Sequence, residues 1–322
     1  MPAANPNPRS QPIPAHMIPN SFLRHLFKAA ILLALATPSR AEPVLSFVFD
    51  DPNGQAANVR DAQVASGTGG EARLRLEEAD WSDPAAAEKV FQVVVDTTMG
   101  TKAFLRLIND KENPGSRGVV IAPAGAEVSL AAISRNAEGK VAFNGGIDMF
   151  FRYSEELPSQ QELLPNLLSI GGGSLRLVVE ADSGSMIATL VDDKQGTIID
   201  TDGDGTADAT RVSTSSVKPA PIDPEAPYHL AIAFETGDSG VVTAKVFLKP
   251  GTGPIDTKQD EDLVSQATFS VITEDSETSL HNGSFSIGTI SRTGPAKAIL
   301  DLAAFRIFVP APAIFPDISG KE

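Results

Sequence analysis

Apolar residues recur along much of the chain in short runs with a period of two. Leu45, Phe47 and Phe49 hold alternate positions, as do Phe91, Val93 and Val95, and Phe104-Leu-Arg-Leu107 follows. Successive side chains of a strand point to opposite sides, so such runs each line one face of an extended segment. Val119 to Ile121, Val128 to Ile133, Val141 to Tyr153, Leu175 to Glu180, Met186 to Val191, Tyr228 to Glu235 and Val241 to Leu248 continue the series. Ala267 to Ile272, Phe285 to Ile290 and Ile299 to Val309 complete it. Clusters of Gly, Pro, Asp and Asn separate the runs, as turns do. Within 141–153, Gly145 and Gly146 permit a bulge or tight bend.

Helical signals are short. Asp83-Pro84 ahead of Ala85-Ala-Ala-Glu88 reads as an N-cap, a proline at the first helical position and one or two turns. Ser159-Gln-Gln-Glu162 has the capping-box pattern and meets Pro165 soon after. Neither can build a helical layer. The pattern predicts an all-β domain with few short helices, a two-sheet antiparallel β-sandwich of about fourteen strands over residues 42–310. The Pro-rich stretch Lys218 to Pro227 leads straight into a strong strand and reads as a loop within that domain. No internal repeat is visible, and residues 311–322 read as a C-terminal tail.

The first 41 residues have a different character. Met17 opens a stretch that makes a better start than Met1: Arg24, His25 and Lys28 form a basic region, and Ala29 to Ala36 an apolar one. Thr37-Pro-Ser-Arg-Ala41 then forms a helix-breaking end with small residues. This is the layout of a secretory signal peptide, with cleavage expected after Ala41. The apolar run is too short for the roughly 20 residues a bilayer requires, and no later segment is long and apolar enough to span one. Location is therefore expected to be secreted, periplasmic or at the cell surface, in a bacterial setting.

Charge narrows the partners. The chain has 26 Lys and Arg against 41 Asp and Glu; four of the basic residues and none of the acids precede Glu42, so the remainder carries a net charge of −19. Such a surface gains nothing from displacing phosphate counterions and is repelled by anionic headgroups, which argues against nucleic acid and acidic membranes as partners. With no cysteine there is no disulfide, thiol nucleophile or Cys-type zinc site.

Three consecutive C-terminal stretches carry a family resemblance. Pro227-Tyr-His-Leu-Ala-Ile-Ala-Phe-Glu235, then Val241 to Leu248 with the turn Lys249-Pro-Gly-Thr-Gly253, then Gly283-Ser-Phe-Ser-Ile-Gly288 with Asp301-Leu-Ala-Ala-Phe-Arg-Ile-Phe308, follow one another in order. In this they resemble the laminin G-like branch of the concanavalin A-like lectin/glucanase jelly rolls. The resemblance covers residues 227–308. It implies a jelly roll whose first and last strands share a sheet, so that Val44 to Phe49 would pair near Ile299 to Phe308. The fold hosts lectins, adhesion modules, glycoside hydrolases and polysaccharide lyases, so it does not by itself assign a function.

The most specific local feature is Asp200-Thr-Asp-Gly-Asp-Gly-Thr-Ala-Asp208. Oxygen ligands at every second residue can converge on one hard cation, and Gly205 permits the turn that brings the Thr206 carbonyl inward. Arg211 stands where an EF-hand needs its bidentate Glu, and the run is similar instead to a single calcium loop of a thrombospondin type 3 repeat. The expected metal is Ca²⁺, held by Asp200, Asp202, Asp204, Thr206 and Asp208; a solvated acidic turn is the alternative.

Catalytic patterns are thin. Gly237-Asp-Ser-Gly240 imitates a serine-protease motif but reads as a hairpin turn, with no separate His motif to serve as base. Glu274-Asp-Ser-Glu277 has the wrong spacing for the E-x-D-x-x-E of the family's glucanases. Tyr228 and His229 lie on opposite faces of one strand and cannot act together. Trp81 is the only tryptophan, which leaves few stacking surfaces for sugars.

The expectation is a non-catalytic binding or surface-interaction module of laminin G-like type. It would bind calcium and take a glycan or extracellular protein as ligand. A carbohydrate-active hydrolase or lyase, and a structural envelope or matrix protein, are the alternatives; oligomeric state is not legible.

Overall fold

The computed structural model describes residues 42–49, 66–76, 91–110, 116–124, 145–153, 166–170, 175–182, 185–192, 213–218, 221–236, 241–270, 285–289 and 297–320. Its contacts divide the chain into units 1–40 and 41–322, and every described residue belongs to the second. Among the described residues there are strands and turns and no helix. The two short helical signals, Asp83–Glu88 and Ser159–Glu162, and the run Val128–Ile133 lie outside the described residues.

The strands are β1 (Leu45–Val48), β2 (Ser66–Thr68), β3 (Gly70–Leu76), β4 (Phe91–Val94), β5 (Phe104–Asp110), β6 (Ser116–Pro123), β7 (Gly146–Tyr153), β8 (Asn166–Ile170) and β9 (Leu175–Asp182). They continue with β10 (Ser185–Asp192), β11 (Ser213–Ser216), β12 (Tyr228–Thr236), β13 (Val241–Pro250), β14 (Ile255–Asp256), β15 (Leu263–Ser270), β16 (Phe285–Thr289), β17 (Lys297–Phe308) and β18 (Ile314–Phe315). The strands without a counterpart in the sequence reading are β2, β3, β8, β11, β14 and β18. All but β3 are of two to five residues, too short for period-two alternation to stand out; β3, GEARLRL, does alternate, with Ala72 and Leu74 in the core, and was missed.

A ten-stranded antiparallel sheet runs β11-β15-β13-β12-β7-β17-β1-β2, with β4 and β5 joined through β17. A six-stranded sheet runs β10-β9-β8-β16-β6-β3, and β14 pairs β18 separately. The twelve-residue β17 organises the larger sheet: β7 lies along one side, while β5 and then β1 share the other. The first strand thus pairs with the last long one, Leu45 opposite Ile307 and Phe47 opposite Phe305, as the jelly-roll resemblance implied.

The core fills the space between the two sheets. Leu45, Phe47, Ile147, Met149, Phe151, Leu230, Ile232, Phe305 and Ile307 of the larger sheet meet Leu74, Val119, Ile121, Leu168, Phe285 and Ile287 of the smaller. Phe285 and Phe305 touch across it with ring centroids 5.5 Å apart. Burying each such side chain is worth about 1.5–3 kcal/mol, and the alternation that commits it to the core commits its neighbours to the outer face.

On β17 the alternation changes phase. Leu300 and Leu302 face the core, and so do Phe305 and Ile307, with a register shift against β7 between Leu302 and Ala304. A β-bulge of one residue accounts for this, because it reverses inside and outside beyond it. Asp301 and Arg306, five residues apart and on opposite faces of a regular strand, therefore share the outer face.

Candidate functional site

Two parts of the outer face of the ten-stranded sheet are covered by other segments of the chain. Over one part of it Met99 packs with Phe104, Phe150, Ala303 and Ala304, with Ile318 at the edge. Over the neighbouring part lie Ile255, Phe315 and Ala311, against Ala231, Ala233, Phe247, Leu263 and Phe308. Residues 311–320, set apart by the sequence as a tail, thus lie along this face. Gly146 makes room: a Cβ there would stand 2.5 Å from Cζ of Phe315 and 2.9 Å from its Cε1. The sequence suggested a bulge or bend at this glycine; it is instead the first residue of β7, where an aromatic ring closes on the backbone.

Beneath this cover sit two ionic groups, each set by strand register. Asp301 stands directly across from Arg106 on β5 and from Arg152 on β7. Arg106 donates from Nε to Oδ1 at 2.8 Å and from Nη2 to Oδ2 at 3.0 Å. Arg152 donates to Oδ2 from Nε at 2.9 Å and from Nη2 at 2.7 Å. The Asp301 side chain is fully buried, that of Arg152 is 10% exposed and that of Arg106 is 26% exposed. Arg152 also lies over the Phe104 ring, 4.8 Å from its centroid, and donates to the Thr98 hydroxyl at 2.9 Å.

The second group centres on Asp148, opposite Arg306 in the β7–β17 pairing. Arg306 donates from Nε to Oδ1 at 2.9 Å and from Nη2 to Oδ2 at 2.5 Å. Nε2 of His229 stands 3.1 Å from Oδ2, and its Nδ1 stands 2.7 Å from the Gly253 carbonyl. His229 and Asp148 are 0% and 1% exposed. The His229 ring stacks on Phe150 at 4.1 Å, and the Arg306 guanidinium lies 5.0 Å from the same phenyl centroid.

At the open rim Asp96 accepts from the Thr98 main-chain N–H at 2.9 Å and from its hydroxyl at 3.0 Å. The main-chain bond first, and then the hydroxyl, hold the Asp96 carboxyl below the ordinary aspartate value. Lys245 pairs with Glu235 at 2.9 Å, and Lys249 lies 3.7 Å from Asp262.

General acid or base chemistry needs a proton-exchanging group that reaches substrate. Asp148 and Asp301 are each locked by arginine on both oxygens, and both nitrogens of His229 are engaged. This arrangement positions backbone and fills the interior. The sequence placed Tyr228 and His229 on opposite faces, and they are: Tyr228 packs in the core, His229 on the outer face. The strands flanking residues 237–240 pair as a hairpin, Glu235 opposite Thr243 and Thr236 opposite Val242.

Asp200, Asp202, Asp204, Thr206 and Asp208 lie outside the described residues, as do Trp81, Glu274, Asp275 and Glu277. Among the described residues no three His, Asp or Glu side chains gather as a metal site, and no helix is long and apolar enough to cross a membrane. The sequence reading missed Arg106, Asp148, Arg152, Asp301 and Arg306. Their signal was present: charged residues at the non-core positions of apolar-rich strands, in Phe104–Asp110, Gly146–Tyr153 and Lys297–Phe308.

No family model matches the chain, and no curated protein matches it. Among solved structures, the PL-14 alginate lyase from Aplysia kurodai aligns with 83% of this chain and 99% of its own, at 10% identity and a TM-score of 0.43. The botulinum neurotoxin serotype C1 binding domain aligns with 86% of this chain and 49% of its own, at 10% identity and 0.44. A GH43 protein from Bacillus licheniformis aligns with 82% of this chain and 39% of its own, at 12% identity and 0.40. Likenesses at this level carry nothing about activity or ligand.

Proposed function

We propose that the chain is an exported, non-catalytic binding or surface-interaction module of laminin G-like type, with a glycan or an extracellular protein as its ligand. The observation that carries the non-catalytic part is the state of the buried titratable groups on the outer face of the ten-stranded sheet. Asp148, Asp301 and His229 are held by charged or carbonyl partners and are buried. A face used in this way for internal packing supports ligand contact elsewhere, at rims and loops.

In this reading the acidic loop is the second working part. Asp200, Asp202, Asp204 and Asp208 offer carboxylates and Thr206 a carbonyl, the hard oxygen set that suits Ca²⁺. Bound calcium would neutralise the four carboxylates and would supply a hard cation able to take sugar hydroxyls as oxygen ligands. The sequence's single Trp and two Tyr favour recognition of hydroxyls and carbonyls over aromatic stacking.

The test is a glycan array probed with the chain from Glu42 onward, with calcium and with chelator, alongside a polysaccharide panel assayed for new reducing ends and unsaturated products. Calcium-dependent retention of a defined glycan class without product release is expected. Product release abolished by a single substitution would overturn the non-catalytic reading.

A further inference from the structure

Three basic side chains from the outer face grip main-chain carbonyls of the two segments that cover part of it. Lys249 of β13 donates to the Pro254 carbonyl at 2.9 Å. His229 of β12 reaches the Gly253 carbonyl at 2.7 Å. Arg306 of β17 donates from Nη2 to the Pro316 carbonyl at 2.7 Å and from Nη1 to the Asp317 carbonyl at 3.0 Å. The two covering segments also hold each other. Ile255 pairs with Phe315, the Thr257 N–H donates to the Ala313 carbonyl at 2.9 Å, and the Ile318 N–H to the Thr252 carbonyl at 3.3 Å.

One of these three side chains, His229, is of the residue type whose charge can change in the physiological range. Both partners of the His229 ring are acceptors: Gly253 presents a carbonyl, and Asp148 a carboxylate that already accepts two N–H groups from Arg306. Donating to both requires a hydrogen on each ring nitrogen, which only the imidazolium form has. A neutral ring has one N–H and must abandon either Asp148 or the Gly253 carbonyl, leaving a lone pair against an oxygen. We propose that residues 251–257 and 311–320 form a proton-held clasp over the outer face of the ten-stranded sheet, with His229 as its titrating member.

The charged and titratable groups around the ring are few. Asp148 comes from β7, Arg306 from β17, and Lys249 from β13 as the cross-strand neighbour of His229. On the covering segments Asp256 accepts from the Lys258 N–H and from Gln259 Nε2, Asp317 accepts from Ser319, and Asp262 lies beside Lys249. The clasped form binds the His229 proton and the opened form releases its partners. The clasp is therefore complete at low pH and loosens as the pH rises through the titration of the ring. Loosening withdraws Phe315 from Gly146, Ala231, Ala233 and Phe308 and uncovers an apolar strip of the sheet.

Amide hydrogen exchange of the whole chain, corrected for intrinsic rates, tests this at about pH 5.5 and about pH 9.5, either side of the histidine range. Protection at Thr257, Phe315 and Ile318 is expected to fall by about tenfold or more at the higher pH, while amides of the β7–β17 ladder keep theirs. His229→Gln should show weak protection at these amides at both pH values, with no step. Lys249→Gln, at a half-exposed position, should lower their protection throughout and keep the step. Wild-type protection that does not change with pH, or a step that survives in His229→Gln, overturns the proposal. If His229→Gln fails to fold, the wild-type and Lys249→Gln profiles decide, since a step lost in Lys249→Gln assigns the titration to the wrong cation.

Discussion

Asp301→Ala removes the carboxylate between two cross-strand arginines. The wild-type group accepts four N–H bonds, two from Arg106 and two from Arg152, and is itself fully buried. Removing one partner of a buried ion pair costs about 3–5 kcal/mol, because the charge left behind loses its counterion without regaining water. Here the cost is unequally shared. The Arg152 side chain, 10% exposed and pinned over Phe104, has nowhere to go, whereas Arg106, 26% exposed, can swing to solvent. The expected loss is therefore about 3 kcal/mol or somewhat more. At about 2–4 °C per kcal/mol for a large domain, this corresponds to a fall in Tm of roughly 6–12 °C. Urea unfolding read by far-ultraviolet circular dichroism is the assay, with the midpoint shifted and the m-value unchanged. Two companions sharpen it. Arg152→Met should cost more than Arg106→Met. Asp301→Leu combined with Arg152→Met should recover most of the loss, since an apolar replacement of a whole buried pair is often neutral. A loss below about 1 kcal/mol for Asp301→Ala, the scale of an exposed pair, would refute the reasoning, and so would equal effects of the two arginine substitutions.

Gly146→Ala gains backbone propensity of about 0.5–1 kcal/mol in a strand, but its new methyl stands 2.5 Å from the Phe315 ring. Overpacking of about 1–3 kcal/mol should win, and the cost should vanish in a Phe315→Ala background; additive effects in that double-mutant cycle would count against the Phe315 seat. If Asp200, Asp202, Asp204 and Asp208 hold Ca²⁺, stability rises by about 2.7 kcal/mol at a hundredfold excess over Kd. Calorimetry should show a rise of several degrees that chelator reverses and that Asp202→Ala with Asp204→Ala abolishes. No binding up to about 10 mM would remove the metal from the reading.

How much of this was legible in the sequence follows from the range of each signal. Whether a segment is a strand, and which residues it turns to the core, is decided within the segment. The backbone alternates side chains with period two, and burial rewards apolar residues on one parity. Leu45, Phe47, Phe151, Ile232 and Phe305 were readable for that reason, as was the all-β sandwich they imply. The resemblance over 227–308 added one long-range contact, the pairing of the first strand with the last. The phase change between Leu302 and Phe305 also stands in the sequence, as two apolar parities separated by Ala303 and Ala304.

What only the tertiary structure decided is which charges meet. Asp301 lies 195 residues from Arg106 and 149 from Arg152, and Arg306 lies 158 from Asp148. Each pairing exists because particular strands are neighbours in a particular register, and a slip of one residue would turn every one of these side chains to the other face. The outer face of the sheet was equally invisible. Nothing local to Gly146 says that Phe315 will close over it, and nothing local to His229 says that both its nitrogens will find acceptors. Pattern along a chain records the backbone's own geometry, whereas counterions, seats for aromatic rings and covered faces are properties of distant segments brought together, and they exist only once the sheets have closed.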